Sequence, residues 1–92
     1  MIEIKAGENK FYVGENAADT VAEVHYVPTG PKLIIIDHTH VGDHLRGQGV
    51  GALLVKKAVD YARENELKIV PLCPFAKREF SVHEEYHDVL AS

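Results

Sequence analysis

The sequence predicts an α+β domain. Its mixed sheet has about five strands, an antiparallel meander followed by a strand–helix–strand parallel crossover, with one long helix and a short C-terminal helix. Three observations predict this. Short alternating or apolar runs, separated by turn residues, fill the first forty positions. One long amphipathic segment follows, from Val50 to Glu64. A last short apolar run, Lys68-Ile69-Val70, comes after it. Two strands joined through a helix of this length form a right-handed crossover and lie parallel.

Ile2 and Ile4 alternate with Glu3 and Lys5, the pattern of a half-buried strand. Gly7-Glu8-Asn9 supplies a turn, and Phe11-Tyr12-Val13 returns as the second strand of a hairpin. Gly14-Glu15-Asn16 is expected to break that strand. A third begins near Val21 and runs through Val24, Tyr26 and Val27, and Thr29-Gly30-Pro31 is the next turn. The fourth, Lys32 to about Thr39, is the most apolar and is placed centrally. These short connections make the first four strands antiparallel.

The helix is expected from about Gln48 to Glu64. Val50, Leu54, Ala58 and Tyr61 line one row, and Gly51, Val55, Ala58 and Ala62 the next. Lys56, Lys57, Asp60 and Arg63 point the other way, so one face packs on a sheet. Asn65 is expected to stop the helix in the left-handed conformation. In strand five, Pro71 and Pro74 bracket Leu72-Cys73, and proline cannot donate to a ladder. The end of this strand therefore cannot be fully paired with strand four: it lies at an edge, or the two strands separate. Separation would open a slot at the carboxyl ends of parallel strands, where open α/β sheets bind ligands. From Ala76 to Ser92 the chain is polar, and Tyr86, Val89 and Leu90 are spaced for one face of a small closing helix.

A chain of 92 residues makes one small domain, read as spanning 1–92. Its apolar fraction, 46%, is that of globular rather than disordered chains. Ten basic against fourteen acidic residues give a net charge of −4, which argues against a nucleic-acid partner. The single cysteine excludes an internal disulfide and fits a reducing compartment. No signal pattern opens the chain, and no apolar run approaches the ~20 residues a membrane span needs. The expectation is a soluble cytoplasmic protein without a membrane partner.

Function is carried by Arg46-Gly47-Gln48-Gly49-Val50-Gly51, between the fourth strand and the helix. The first helical N–H groups lack intrahelical acceptors, and the helix dipole puts partial positive charge at the same place. Glycine at 47, 49 and 51 removes Cβ atoms that would hold a bulky phosphate away from those amides. The loop is thus expected to hold a diphosphate. A Walker loop would need Gly-Lys-Ser/Thr, which is absent. A dinucleotide fingerprint needs different glycine spacing after the first strand, whereas this loop follows the fourth.

Arg46, Gly49 and Gly51 match Arg/Gln-x-x-Gly-x-Gly/Ala and, with the strand and helix around them, resemble the coenzyme A loop of the GNAT N-acetyltransferase superfamily. Asp37-His38-Thr39, Pro71-Leu72-Cys73-Pro74-Phe75 and His83-Glu84-Glu85-Tyr86 extend the resemblance to a short, single-domain branch with a strand-five cysteine. It implies acetyl-CoA (coenzyme A) as cosubstrate and transfer of the acetyl group to an unidentified amine, small molecule or protein. It also implies that the backbone of Thr39, His40 and Val41 pairs with the pantetheine arm. Arg46, Gly47, Gln48, Gly49, Val50 and Gly51 would hold the pyrophosphate, with Pro74 and Phe75 lining the cofactor slot. A non-catalytic acyl-CoA-binding or sensing module is the alternative. Larger members carry extra helices and strands that shape the acceptor pocket; here the usual proton-returning tyrosine has no assigned counterpart except Tyr86.

Cys73 admits three roles. It shares a face with Ile69 and Pro71 and could be a buried thiol, a non-covalent pocket residue, or a nucleophile carrying the acetyl group. A nucleophilic thiol, ordinarily with pKa about 8.5, needs a neighbour that favours the thiolate. His38 is the candidate for that neighbour, as base or as positive charge. His38, His40 and His44 without a second cysteine make a weak zinc set. A general base is the better role for one of them, and His40 and His44 read as exposed.

Overall fold

The structure, a computed structural model, describes residues 3–91. Strands β1 (Lys5–Gly7), β2 (Lys10–Asn16), β3 (Asp19–Pro28), β4 (Leu33–Val41) and β5 (Lys68–Pro71) form one sheet in the order β1-β2-β3-β4-β5. The first four are antiparallel neighbours, and β5 lies parallel to β4. Helix α1 (Val50–Glu64) makes the crossover between them, and α2 (Pro74–Val82) follows β5. Short 3-10 segments cover Asp43–Leu45 and Glu84–Val89.

The N-terminal meander differs from the sequence reading at two places. The first strand begins at Lys5; Ile4 packs on the core without joining the ladder, and Ile2 lies outside the described residues. The second strand is not broken at Gly14 but bulges there and continues to Asn16. Gly14 has φ +152°, and a Cβ on it would lie 2.6 Å from the Asp19 carbonyl oxygen, so glycine lets the two strands stay paired through the bulge. The Asn16 side chain then accepts from the Ala18 and Asp19 N–H groups and turns the chain into β3.

Helix α1 buries Val50, Gly51, Leu54, Val55, Ala58 and Ala62 of the rows read from its sequence, and Val59 with them, while Tyr61 is half-buried. Its C-terminus corrects the expectation for Asn65, whose φ is −105°. Glu66, at φ 57°, takes the left-handed position instead. The Leu67 N–H then reaches the Ala62 carbonyl at 2.8 Å and the Glu66 N–H the Arg63 carbonyl at 3.4 Å, the paired bonds of a Schellman motif. The Asn65 amide caps the Tyr61 carbonyl from the side. Tyr61 itself packs against Phe11 and Tyr26, with ring centroids 5.5 and 5.6 Å away.

The C-terminal region holds two elements where one short helix was expected. Cys73 caps α2, its sulfur accepting the Ala76 N–H at 3.3 Å, and Pro74 occupies the first turn, where its missing N–H costs nothing. Ala76 and Phe80, four apart, are buried. The 3-10 segment carries Tyr86 and Val89 into the core, and Leu90 bridges to Ile69 at the outer edge of β5. Arg63 of α1 grips Asp88 with two hydrogen bonds of 2.8 Å and so ties this segment to the helix.

Candidate active site

The site begins with an irregularity in β4. Tyr26 pairs with Ile36 and His25 with His38, leaving Asp37 as an extra residue. Side chains alternate faces along a strand, so one extra residue reverses every later position. Before the bulge Ile34 and Ile36 point into the core; after it Thr39 and Val41 take the helix-covered face, while His38 and His40 turn to the open one.

The bulge falls where β4 and β5 part. Their last pair is Ile36 with Pro71, and the Ile36 carbonyl accepts both the Leu72 N–H at 3.0 Å and the Cys73 N–H at 3.3 Å. Beyond that point the chain turns away into α2. Strand five is thus an edge strand, and it also separates from its neighbour, as the two prolines require. A cavity of about 410 Å³ opens beside the split. Thr39 and Val41 of β4 line it on one side and Phe75 and Glu79 of α2 on another. Leu45, Arg46, Gly47, Gly49 and the first helical residues Val50, Gly51 and Ala52 close the end.

That end is built from unpaired donors. Gly49, at φ 74°, is the N-cap of α1, and among the described residues no side chain caps the helix. Leu53 N–H bonds the Gly49 carbonyl at 3.1 Å, but among the described residues the N–H groups of Val50, Gly51 and Ala52 have no protein acceptor. Three donors and the positive end of a four-turn helix therefore face the same cavity. Gly47 (φ 86°) and Gly49 are needed for backbone conformation, and a Cβ on either would meet nothing within 4 Å. Gly51 differs. A Cβ there would lie 2.7 Å from Cζ of Phe75, so its missing side chain seats that ring against the helix rather than clearing room for a phosphate.

Arg46 lines the cavity and pairs with Asp43 at 3.3 Å, with side chains 73% and 96% exposed. Such an exposed pair is worth about 0–1 kcal/mol, so it does not fix the guanidinium in place. Gln48 is not in the cavity wall; its amide bonds the His44 carbonyl at 3.3 Å and braces the loop. Pro74 and His40 are not in the cavity wall: Pro74 opens α2, and the exposed His40 ring lies on the open face.

Cys73 is buried and does not line the cavity. Besides capping α2, its sulfur lies 3.1 Å from the Thr39 hydroxyl, which ties β4 to the start of α2 at the mouth of the split. The expected pairing of Cys73 with His38 does not form, because the bulge at Asp37 carries His38 to the opposite face. There its ring stacks parallel to His40, 6.4 Å between centroids, and Asp37 bonds His25 at 2.7 Å. Among the described residues no group of three histidine, cysteine or carboxylate side chains is placed to hold a metal. Tyr86 lies in the core against Phe80 and His83, outside the cavity wall; burial pushes its hydroxyl pKa up.

Glu79 was not singled out from the sequence. It projects from the second turn of α2, four residues beyond Phe75 and on the same face, and one of its carboxylate oxygens is buried without a hydrogen-bond partner among the described residues. The spacing of Phe75 and Glu79 would have shown it, had a helix starting at Pro74 been recognised.

An uncapped helix start beside a split between two parallel strands defines an α+β domain whose backbone donors open on a cavity. The chain belongs to the GCN5-related N-acetyltransferase family, whose model matches residues 10–89 and whose cosubstrate is acetyl-CoA. It is 32% identical over 69 residues to Protein NATD1 of Xenopus tropicalis and 30% identical over 69 residues to that of Homo sapiens. These alignments cover 75% of the chain but only 63% and 61% of the relatives. The solution structure of a protein from Staphylococcus aureus, described as a GCN5-like N-acetyltransferase, superposes with a TM-score of 0.82 at 47% identity, covering 99% of this chain and 89% of that one. A GNAT family N-acetyltransferase from Escherichia coli, solved with CoA, shares the fold at 16% identity and a TM-score of 0.61, over 84% of this chain and 43% of that one. Among the described residues no helix is long and apolar enough to cross a membrane.

Proposed function

We propose that the protein is an acetyl-CoA-dependent N-acetyltransferase that binds the cofactor diphosphate at the start of α1 and the pantetheine arm along β4. The observation that carries this is the set of N–H groups at Val50, Gly51 and Ala52, unpaired and opening on a cavity beside diverging strands. Arg46 and the Gly47-to-Gly49 backbone complete the anion site. Among the described residues the edge of β4 that faces β5 has no strand partner beyond Ile36, so the peptide groups around Thr39 to Val41 supply the ladder for the arm's amides. Phe75, seated on Gly51, forms the wall beside it.

The chemistry asks little of the protein beyond placement. A neutral amine attacks the thioester carbonyl, the C–N bond forms, and the C–S bond breaks to release coenzyme A. Holding the carbonyl beside β4 brings the reactants together, and backbone N–H groups polarise it. Cys73 is assigned an anchoring role: its sulfur is engaged by Ala76 and Thr39, outside the cavity wall. A lone unpaired cysteine is consistent with a reducing, cytoplasmic setting.

Coenzyme A at 100 times its Kd should add about 2.7 kcal/mol to stability, several degrees in Tm for a domain of this size. Release of free thiol from acetyl-CoA with a panel of primary amines and lysine peptides then separates the two functional readings. Binding without thiol release from any amine would leave an acyl-CoA-binding module in place of an enzyme. An acetylated Cys73, seen by intact-mass spectrometry under turnover, would overturn its anchoring role.

A further inference from the structure

Resting on the acetyltransferase reading, we propose that Glu79 is the residue that takes the proton from the incoming amine, and that His83 and Glu85 carry it out to solvent. Glu79 lines the cavity together with Thr39 and Phe75, yet its side chain is only 12% exposed. Its Oε1 is buried with no hydrogen-bond partner among the described residues, although leaving a buried carboxylate oxygen unpaired is costly. His83 Nε2 lies 3.5 Å from that oxygen, within ion-pair reach. The other ring nitrogen, Nδ1, is 3.2 Å from Glu85 Oε2, and Glu85 is exposed. Glu79, His83 and Glu85 thus follow one another from the cavity wall to the surface.

Glu79 is the carboxylate that an ammonium substrate entering the cavity would meet. The acceptor arrives as R–NH3⁺; one proton passes to Glu79 and the free amine attacks the thioester carbonyl. When the C–S bond breaks, coenzyme A leaves as a thiolate and takes a second proton from the new amide nitrogen. One proton remains on Glu79, and His83 relays it through Nε2 and Nδ1 to Glu85 and water. The substrate class is therefore a protonated primary amine. The ionisable groups around Glu79 are His83 at the C-cap of α2, with Glu85 beyond it, Tyr86 of the 3-10 segment, and Arg46, which lines the same cavity.

The test uses n-butylamine as acceptor with the full chain. Glu79→Gln should lower thiol release about 100-fold, the lower end of what a general base supplies. Its Kd for coenzyme A should stay within threefold. His83→Gln should lower the rate about tenfold and shift the pH–rate profile, and added imidazole should restore part of the loss. Independently of turnover, the Glu79 side-chain carboxyl ¹³C resonance of the CoA-saturated wild-type protein should move on titration with n-butylammonium. A Glu79→Gln rate within threefold of wild type would overturn the proposal. So would a carboxyl resonance indifferent to the amine, or a loss of CoA affinity that matches the loss of rate. Coenzyme A failing to bind the wild type would instead strike the parent reading.

Discussion

The two ends of the cavity are made of different material. The glycine-loop end presents main-chain N–H groups, held by the start of α1 and by two glycines in left-handed conformations. The α2 end presents side chains, Phe75 and Glu79, whose position depends on how α2 is capped and packed. Backbone donors are fixed by chain direction and survive most substitutions. Side-chain groups can be changed one residue at a time. On the proposed function this is a division of labour, in which the loop would hold the cofactor and the second helix would act on the acceptor.

Substitutions that damage one end and spare the other sharpen this contrast. The largest effect is expected from Phe80→Ala. It empties a fully packed site between α2 and Tyr86 and should cost about 3–5 kcal/mol in denaturant unfolding. Thiol release should fall further than CoA affinity, since the loop is untouched; equal losses would break the contrast. Gly49→Asp comes next. A carboxylate at the N-cap repels the diphosphate, and CoA affinity should drop about 100-fold, or 2.7 kcal/mol, in an isothermal titration. Aspartate tolerates the left-handed conformation better than most residues, so Tm should shift far less than for Phe80→Ala.

Two pH effects should leave both ends alone and act on stability. Burial, and then Tyr61 beside it, push the Tyr26 hydroxyl up to about 12 from its usual 10. The folded chain keeps this proton where the unfolded chain has lost it, so stability is intact below about pH 10 and falls as pH rises towards 12. Tyr26→Phe should flatten that slope in urea midpoints. Smaller still is the acid effect of the Arg63–Asp88 pair. The guanidinium holds the Asp88 carboxyl below the usual carboxylate range. Its contribution is present above about pH 4 and is lost as pH falls through the depressed value. Asp88→Asn should remove that acid dependence without altering CoA affinity.

Much of the architecture was legible because it follows local rules. The apolar rows of α1, the parallel crossover and the parting of strand five at its prolines all came from spacing and from the missing proline donor. What escaped detection depends on tertiary pairing. The bulge at Asp37 has no signature in Asp37-His38-Thr39, yet it decides that Thr39, and not His38, meets Cys73. Helix α2 was hidden because its cap is a cysteine, a residue seldom read as a helix start. Glu79 was hidden with it. Gly51 was read as room for a phosphate, whereas only the fold shows that Phe75 fills that space.

The central claim is that main-chain donors at the start of α1 grip the cofactor diphosphate. An amide ¹H–¹⁵N titration with coenzyme A tests it most directly. The largest shifts should cluster at Gly47, Gly49, Val50, Gly51 and Ala52, with His38 and His40 on the open face nearly still. Saturable binding that moves the open-face amides and leaves the helix start unchanged would contradict the account.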